Sequence, residues 1–348
     1  MTELTAASKE LHFIHQWGIE VIRAVQNFSS PFLNEVMKIF TEASTYGFVV
    51  FIIGLYLWCI DYKKGLHLAY AAAFTSGLNG GIKRIFKIPR PFAHAPEIML
   101  KSIGGFSTPS GHSSISAFIY PAVLFYKPFR GNLSKDTQSA KPQKSGSASV
   151  KIKIAAAIVL PLLVGFSRVY LGVHYPTDVL LGWGLGAFIF LSMMFFLPAI
   201  EAKLSTLTLN RTDESDAQNI KFKKTASIRF TLAALFSFIL ILISREKVNE
   251  AGLILGLAFG NIRILENSKY SFDASSGTWV QKFLRFIIGS ALSCIPIMIF
   301  YLLKIDSSYA QYRLYRFLEF FAVGLIASGL APIIFCRLKI SGEDNADR

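Results

Sequence analysis

Residues 154–199 read IAAAIVLPLLVGFSRVYLGVHYPTDVLLGWGLGAFIFLSMMFFLPA. Two apolar runs, 154–171 and 177–199, flank a short turn at 172–176. A helix needs ~20 apolar residues to cross the hydrocarbon core of a bilayer, and each run approaches or exceeds that length. Ser167, Arg168, His174 and Asp178 are grouped where the two runs meet. Polar chemistry gathered at one end of a paired span predicts a helical membrane bundle with a polar cluster at its boundary.

The same pattern extends in both directions. Apolar runs at 46–60, 66–82 and 111–126 precede the quoted stretch, and runs at 227–244, 249–265, 283–303 and 314–336 follow it. Across 348 residues, 52% are hydrophobic and 17% charged, with the charges in the gaps between runs. The expected fold is therefore all-α, a polytopic transmembrane helical bundle. Residues 8–28, and a segment from Pro31 to about Phe40, mix apolar and charged positions and are expected to lie in the interface or against the bundle. This divides the chain into amphipathic helices at 1–44, a motif-bearing core at 45–200, a basic cytoplasmic linker at 201–224 and an accessory transmembrane block at 225–340. The tip at 134–149 reads as disordered. No cleavable leader is expected at the N-terminus. Cys59, Cys294 and Cys336 lie in apolar runs without metal-ligand spacing and read as buried small hydrophobes.

The net charge of +14 does not mark a nucleic-acid binder, because many of the basic residues fall in short loops between spans. By the positive-inside rule, the loops at 61–65, 127–153, 201–224 and 266–282 are cytoplasmic. The loops at 83–110 and 172–176 then share the opposite face. The first of these is also basic, with Lys83, Arg84, Lys87, Arg90 and Lys101, against the rule.

Three segments on that face carry chemistry. Lys83 is followed after six residues by Arg90-Pro91; Pro109-Ser110-Gly111-His112 opens a span; Ser167-Arg168 is followed after five residues by His174 and after three more by Asp178. Guanidinium forks match phosphate oxygens in pairs, and lysine adds a point charge. A helix starting at Ser110-Gly111 offers outward backbone N–H groups to an anion. Asp178 can orient the His174 ring so that its far nitrogen is a nucleophile, and His112 can protonate a leaving oxygen. Taken singly, Lys83 and Arg90 also read as snorkelling residues, Pro-Ser-Gly as a helix cap, and His174–Asp178 as a structural pair.

Together the segments resemble the motif set of the type 2 phosphatidic acid phosphatase superfamily, which includes lipid phosphate phosphatases, bacterial acid phosphatases and vanadium haloperoxidases. The resemblance covers roughly residues 45–200. It implies an α-helical core in which Lys83, Arg90, Ser110, Gly111 and Arg168 hold phosphate. It also implies His174 as a nucleophile forming a phosphohistidine, Asp178 as its partner and His112 as general acid, with no metal and no cofactor. The implied substrate is a lipid phosphomonoester or lipid pyrophosphate, and the implied site faces the exterior of a bacterial plasma membrane. Family members with this core usually carry a further span before the first motif, where this chain has amphipathic segments. The block after residue 225 resembles, loosely, extensions in some sphingosine-phosphate phosphatases and bacterial relatives. Two alternatives remain open from sequence: a lipid phosphotransferase using the same intermediate, and a non-catalytic lipid transporter or scaffold.

Overall fold

The computed structural model describes residues 13–128, 147–209, 215–243, 248–265, 270–303 and 309–342. The tip at 134–149 lies almost wholly outside these residues, as do residues 8–12 of the first amphipathic segment. The described residues form helices α1 (Phe13–Gln26), α2 (Pro31–Glu42), α3 (Tyr46–Leu55), α4 (Tyr62–Phe86), α5 (Pro91–His94), α6 (Gly111–Phe125), α7 (Ser147–Tyr170) and α8 (Pro176–Leu209). They continue with α9 (Ser215–Ile243), α10 (Val248–Ala258), α11 (Trp279–Leu302), α12 (Tyr309–Leu325) and α13 (Ala331–Arg337). π-helical turns extend α3 to Ile60 and α10 to Leu265, and another joins α12 to α13. Strands are absent among the described residues. All nine expected spans coincide with helices. Five helical stretches are long and apolar enough to cross a membrane alone: 148–170, 176–203, 226–243, 279–302 and 311–337. α2 and α3 pass the same test only as a pair. The chain is a multi-pass membrane protein.

The residues divide into two compact units. The first comprises Met1–Val49, Asn79–Phe125 and Pro142–Leu191. α1 buries Gly18, Ile19 and Ile22, and packs with Ala95, Ile98, Val169, Tyr175 and Val179. This places the amphipathic segment against the bundle, one of its two expected positions. α2 starts on Pro31, with Ser30 as N-cap accepting from the Leu33 amide, and buries Met37 against Tyr170, Leu171 and Val173. α6 and α8 approach closely at Gly182 and Gly186. A Cβ at Gly182 would lie 2.6 Å from the Ser110 carbonyl oxygen, and one at Gly186 would lie 2.2 Å from that of Ser114. These glycines serve packing, as small residues in spans generally do. Trp183 donates its indole N–H to the Pro161 carbonyl at 3.0 Å, so it too is a bundle residue.

The second unit comprises Val50–Leu78, Tyr126–Lys141 and Ser192–Arg348. α10 and α12 meet backbone to backbone: a Cβ on Gly252 would fall 2.2 Å from the Phe317 carbonyl oxygen. Trp58, Leu57, Leu257 and Phe335 belong to one apolar cluster within it. Asn261 accepts from the Tyr62 hydroxyl at 3.0 Å, and Arg263 lies over the Phe230 ring. Cys59 is buried as expected, but Cys294 is exposed and Cys336 only half-buried, because the neighbouring surface of α11 is itself apolar and α13 leaves Cys336 partly uncovered.

Candidate active site

The first unit gathers the three motif segments. Lys83 stands in the last turn of α4, which continues to Phe86, so the motif lysine is helical rather than part of the loop. Its ammonium group donates to the carbonyls of Phe106 at 2.8 Å and Ser107 at 2.7 Å. Arg90 caps the short α5 and is 6% exposed. It donates from Nε to Gly105 O at 2.9 Å, from Nη2 to Gly104 O at 2.9 Å and from Nη1 to Val173 O at 2.8 Å. Lys83 and Arg90 therefore knit the 104–107 loop, and Arg90 ties it to the turn that carries His174. Neither is a snorkelling residue.

Arg90 Nη1 also lies 3.2 Å from His174 Nε2. A guanidinium only donates, so Nε2 must be the accepting, unprotonated nitrogen, and the ring proton sits on Nδ1. Nδ1 faces Asp178 Oδ2 at 3.4 Å, one helical turn along the chain. His174 is 2% exposed and Asp178 1%. Burial holds the imidazole well below its usual pKa, and the positive charges of Arg90, Lys83 and Arg168 add to this against the opposing bond to Asp178. The ring is thus neutral, with its lone pair directed toward the cations. Burial also lowers Arg90, to about 10, which leaves it charged at neutral pH.

Asp178 lies in the first turn of α8 and accepts the Tyr175 amide at 2.9 Å, the backward half of a capping box. It also accepts from the hydroxyls of Ser107 and Thr108. These two hydroxyls were not singled out from the sequence, although they stand directly before the Pro109-Ser110-Gly111-His112 motif. Gly172, in the spacer between Arg168 and His174, has φ +70, where an L side chain is strained. A Cβ there would sit 1.9 Å from the Ile98 carbonyl oxygen. Gln26 of α1 bridges that same oxygen to the Tyr170 carbonyl at 2.9 and 2.8 Å.

Ser110 differs from expectation. Its amide donates to the Asp178 carbonyl at 2.9 Å, so it is spent inside the fold and does not point outward. Its hydroxyl accepts from the Ser113 amide at 3.4 Å, as an N-cap of α6 does, and from the Ser113 hydroxyl at 2.9 Å. Gly111 follows as the first residue of α6. His112 is half-buried and within electrostatic reach of Arg168, His174 and Arg90. Arg168 is fully buried. Its Nη1 donates to Thr41 Oγ1 of α2 at 2.6 Å, while Nε and Nη2 have no partner among the described residues. The Ser167 hydroxyl turns back to the Val164 carbonyl at 2.7 Å. No group of three His, Cys, Asp or Glu side chains among the described residues is placed to hold a metal ion. Beside Thr108, an apolar groove of about 430 Å³ is lined by Ile14, His15, Ile88, Thr177, Leu180 and Leu181.

Comparison with known proteins adds the relatives. Residues 64–201 match the PAP2 superfamily, and residues 248–343 match the transmembrane extension of PAP2 superfamily phosphatases. Phosphatidylglycerophosphatase B of Bacillus subtilis (strain 168) is 33% identical over 193 residues, covering 54% of this chain and 86% of that protein. Undecaprenyl-diphosphatase BcrC of the same strain is 27% identical over 167 residues, covering 46% and 74%. The crystal structure of a transmembrane PAP2 type phosphatidylglycerolphosphate phosphatase from Bacillus subtilis aligns at 29% identity with a TM-score of 0.42, covering 56% of this chain and 90% of that one. The extension match overlaps the expected accessory block from residue 248 onward. On the match to residues 64–201 and the coverage of the first of these relatives, the chain belongs to the PAP2 superfamily, as a membrane-embedded phosphatase carrying that family's transmembrane extension.

Proposed function

We propose that the protein hydrolyses a lipid phosphomonoester or a terminal lipid pyrophosphate through a phosphohistidine, without a metal ion. One observation carries this reading: the buried His174 places Nε2 3.2 Å from Arg90 Nη1 and its other ring nitrogen 3.4 Å from Asp178 Oδ2. In the first step Nε2 attacks phosphorus and the bond from phosphorus to the leaving oxygen breaks. His112 donates the proton that the leaving oxygen requires. In the second step water attacks the phosphohistidine, His112 takes its proton, and inorganic phosphate leaves with His174 restored. Arg168, with its Nε and Nη2 edge unpartnered among the described residues, and the start of α6 at Ser110-Gly111 hold the equatorial oxygens, and Lys83 and Arg90, tied to the surrounding carbonyls, add positive charge beside them.

The apolar groove beside Thr108 suits the lipid chain of such a substrate. The relatives act, by their names, on phosphatidylglycerophosphate and undecaprenyl diphosphate, and both classes fit a site built for a terminal phosphoryl group. The loop charges and the Bacillus relatives favour a bacterial plasma membrane with the site facing outward.

The test is phosphate release from a panel of lipid phosphates and polyprenyl diphosphates with EDTA present. Wild type is expected to turn over, and His174→Ala to be inactive. His112→Ala should be reduced by two or more orders of magnitude, in keeping with general-acid contributions of about 10²–10⁴. Activity that survives in His174→Ala, or that EDTA abolishes, refutes the mechanism.

A further inference from the structure

We infer that Thr41, on the N-terminal helix α2 and outside the family-matched segment, is a positioning residue that sets the face Arg168 presents to phosphate. This rests on the reading of Arg168 as a phosphate ligand. A guanidinium has two edges able to grip a pair of oxygens, and one of them is formed by Nε and Nη2. Thr41 Oγ1 takes the remaining nitrogen, Nη1, at 2.6 Å. The Nε and Nη2 pair is thereby left whole, and neither atom has a partner among the described residues. Both Thr41 and Arg168 are fully buried, so solvent does not compete for this bond.

The surroundings are built to hold α2 in place. The Tyr170 hydroxyl, two residues after Arg168, donates to Asn34 Oδ1 of α2 at 2.6 Å. Glu42, next to Thr41, pairs with Lys101 at 2.9 Å. Met37 packs on Tyr170, Leu171 and Val173. The helix is thus clamped on both sides of the Thr41 contact. Without Thr41 the arginine has no other described acceptor, and its long side chain regains rotamers that aim the fork elsewhere.

The experiment compares Thr41→Val, which keeps the shape and loses the acceptor, with Thr41→Ser, which keeps the oxygen. The readouts are KM and kcat for a soluble short-chain lipid phosphate, the inhibition constant of inorganic phosphate, and the melting temperature in detergent. Thr41→Val is expected to raise KM and the phosphate inhibition constant together by about tenfold, the scale of one charged hydrogen bond. Thr41→Ser should remain within about threefold of wild type on the same argument. In an Arg168→Ala background, Thr41→Val should add no further loss. A Thr41→Val protein with an unchanged phosphate inhibition constant overturns the inference, including one that merely melts lower. If Arg168→Ala itself keeps wild-type phosphate affinity, the reading of Arg168 fails first, and the role of Thr41 with it.

Discussion

Replacing Arg90 by lysine preserves the charge and tests whether that charge is all the site requires. The guanidinium reaches four acceptors from three nitrogens: the carbonyls of Gly104, Gly105 and Val173, and Nε2 of His174. A lysine has one nitrogen and cannot bridge the 104–105 backbone to the 173–174 turn. At least two of these bonds are lost. A hydrogen bond to a charged group contributes ~1.5–3 kcal/mol, so the loss amounts to ~3–6 kcal/mol. If the low end of this range falls on the transition state, kcat/KM drops by about 150-fold. Any remainder appears as a lower melting temperature, because the same bonds hold the loop to the turn. The assay is therefore steady-state phosphate release alongside thermal unfolding in detergent. An Arg90→Lys enzyme with kcat/KM within about threefold of wild type and an unchanged melting temperature would show that Arg90 is a simple point charge, and the clamp argument would fail.

Two further outcomes are expected. Gly172→Ala should lower the melting temperature and most of the activity together. The left-handed φ costs an L residue ~1–2 kcal/mol, and the new Cβ collides with the Ile98 carbonyl that Gln26 bridges to Tyr170; a variant that melts with wild type contradicts this. His174 should remain neutral, with its proton on Nδ1, well below the usual histidine pKa of ~6.5. Between its lowered folded value and ~6.5 the native ring binds fewer protons than the unfolded one, so this contribution to stability is complete above ~6.5 and fades as pH falls. ¹⁵N spectra of histidine-labelled protein, assigned by His174→Ala, should show an unprotonated Nε2 at pH 6, and a resonance titrating near 6.5 would overturn the assignment.

The helices and the motif residues are legible in the sequence because hydropathy and spacing encode them directly. The runs at 154–171 and 177–199 became α7 and α8, and the distant His174 and Arg90 meet because both segments end on one face. What the sequence does not reveal is the use each cation makes of its donors. Lys83 and Arg90 spend theirs on the carbonyls of residues 104–107, and the path of that aperiodic loop follows from no repeat. Thr41 is silent for a similar reason: a hydroxyl one residue before the end of an amphipathic helix reads as ordinary helix surface until Arg168, 127 residues away, is placed beside it. Ser107 and Thr108 left a weak signal, two hydroxyls abutting the Pro109-Ser110-Gly111-His112 segment. The helix at 111–125 has only 15 residues, so hydropathy alone understates its place in the fold.

The charge balance of the site bears on which phosphates it accepts. Lys83, Arg90 and Arg168 contribute three positive charges and Asp178 one negative, a formal excess of +2 from these four residues. The carboxylate cannot cancel that excess by direct pairing, since its described bonds go to His174, Ser107, Thr108 and the Tyr175 amide. Arg168 is buried with its Nε and Nη2 edge unpartnered, and an uncompensated buried charge is costly. A phosphomonoester carries close to two negative charges at neutral pH and a terminal pyrophosphate at least as much, so either compensates the excess. A phosphodiester carries one charge and leaves a buried cation without a partner. On the proposed function, this count of charges predicts that a short-chain lipid phosphomonoester binds more tightly than the matching phosphodiester, and equal inhibition constants in a competition assay would refute it.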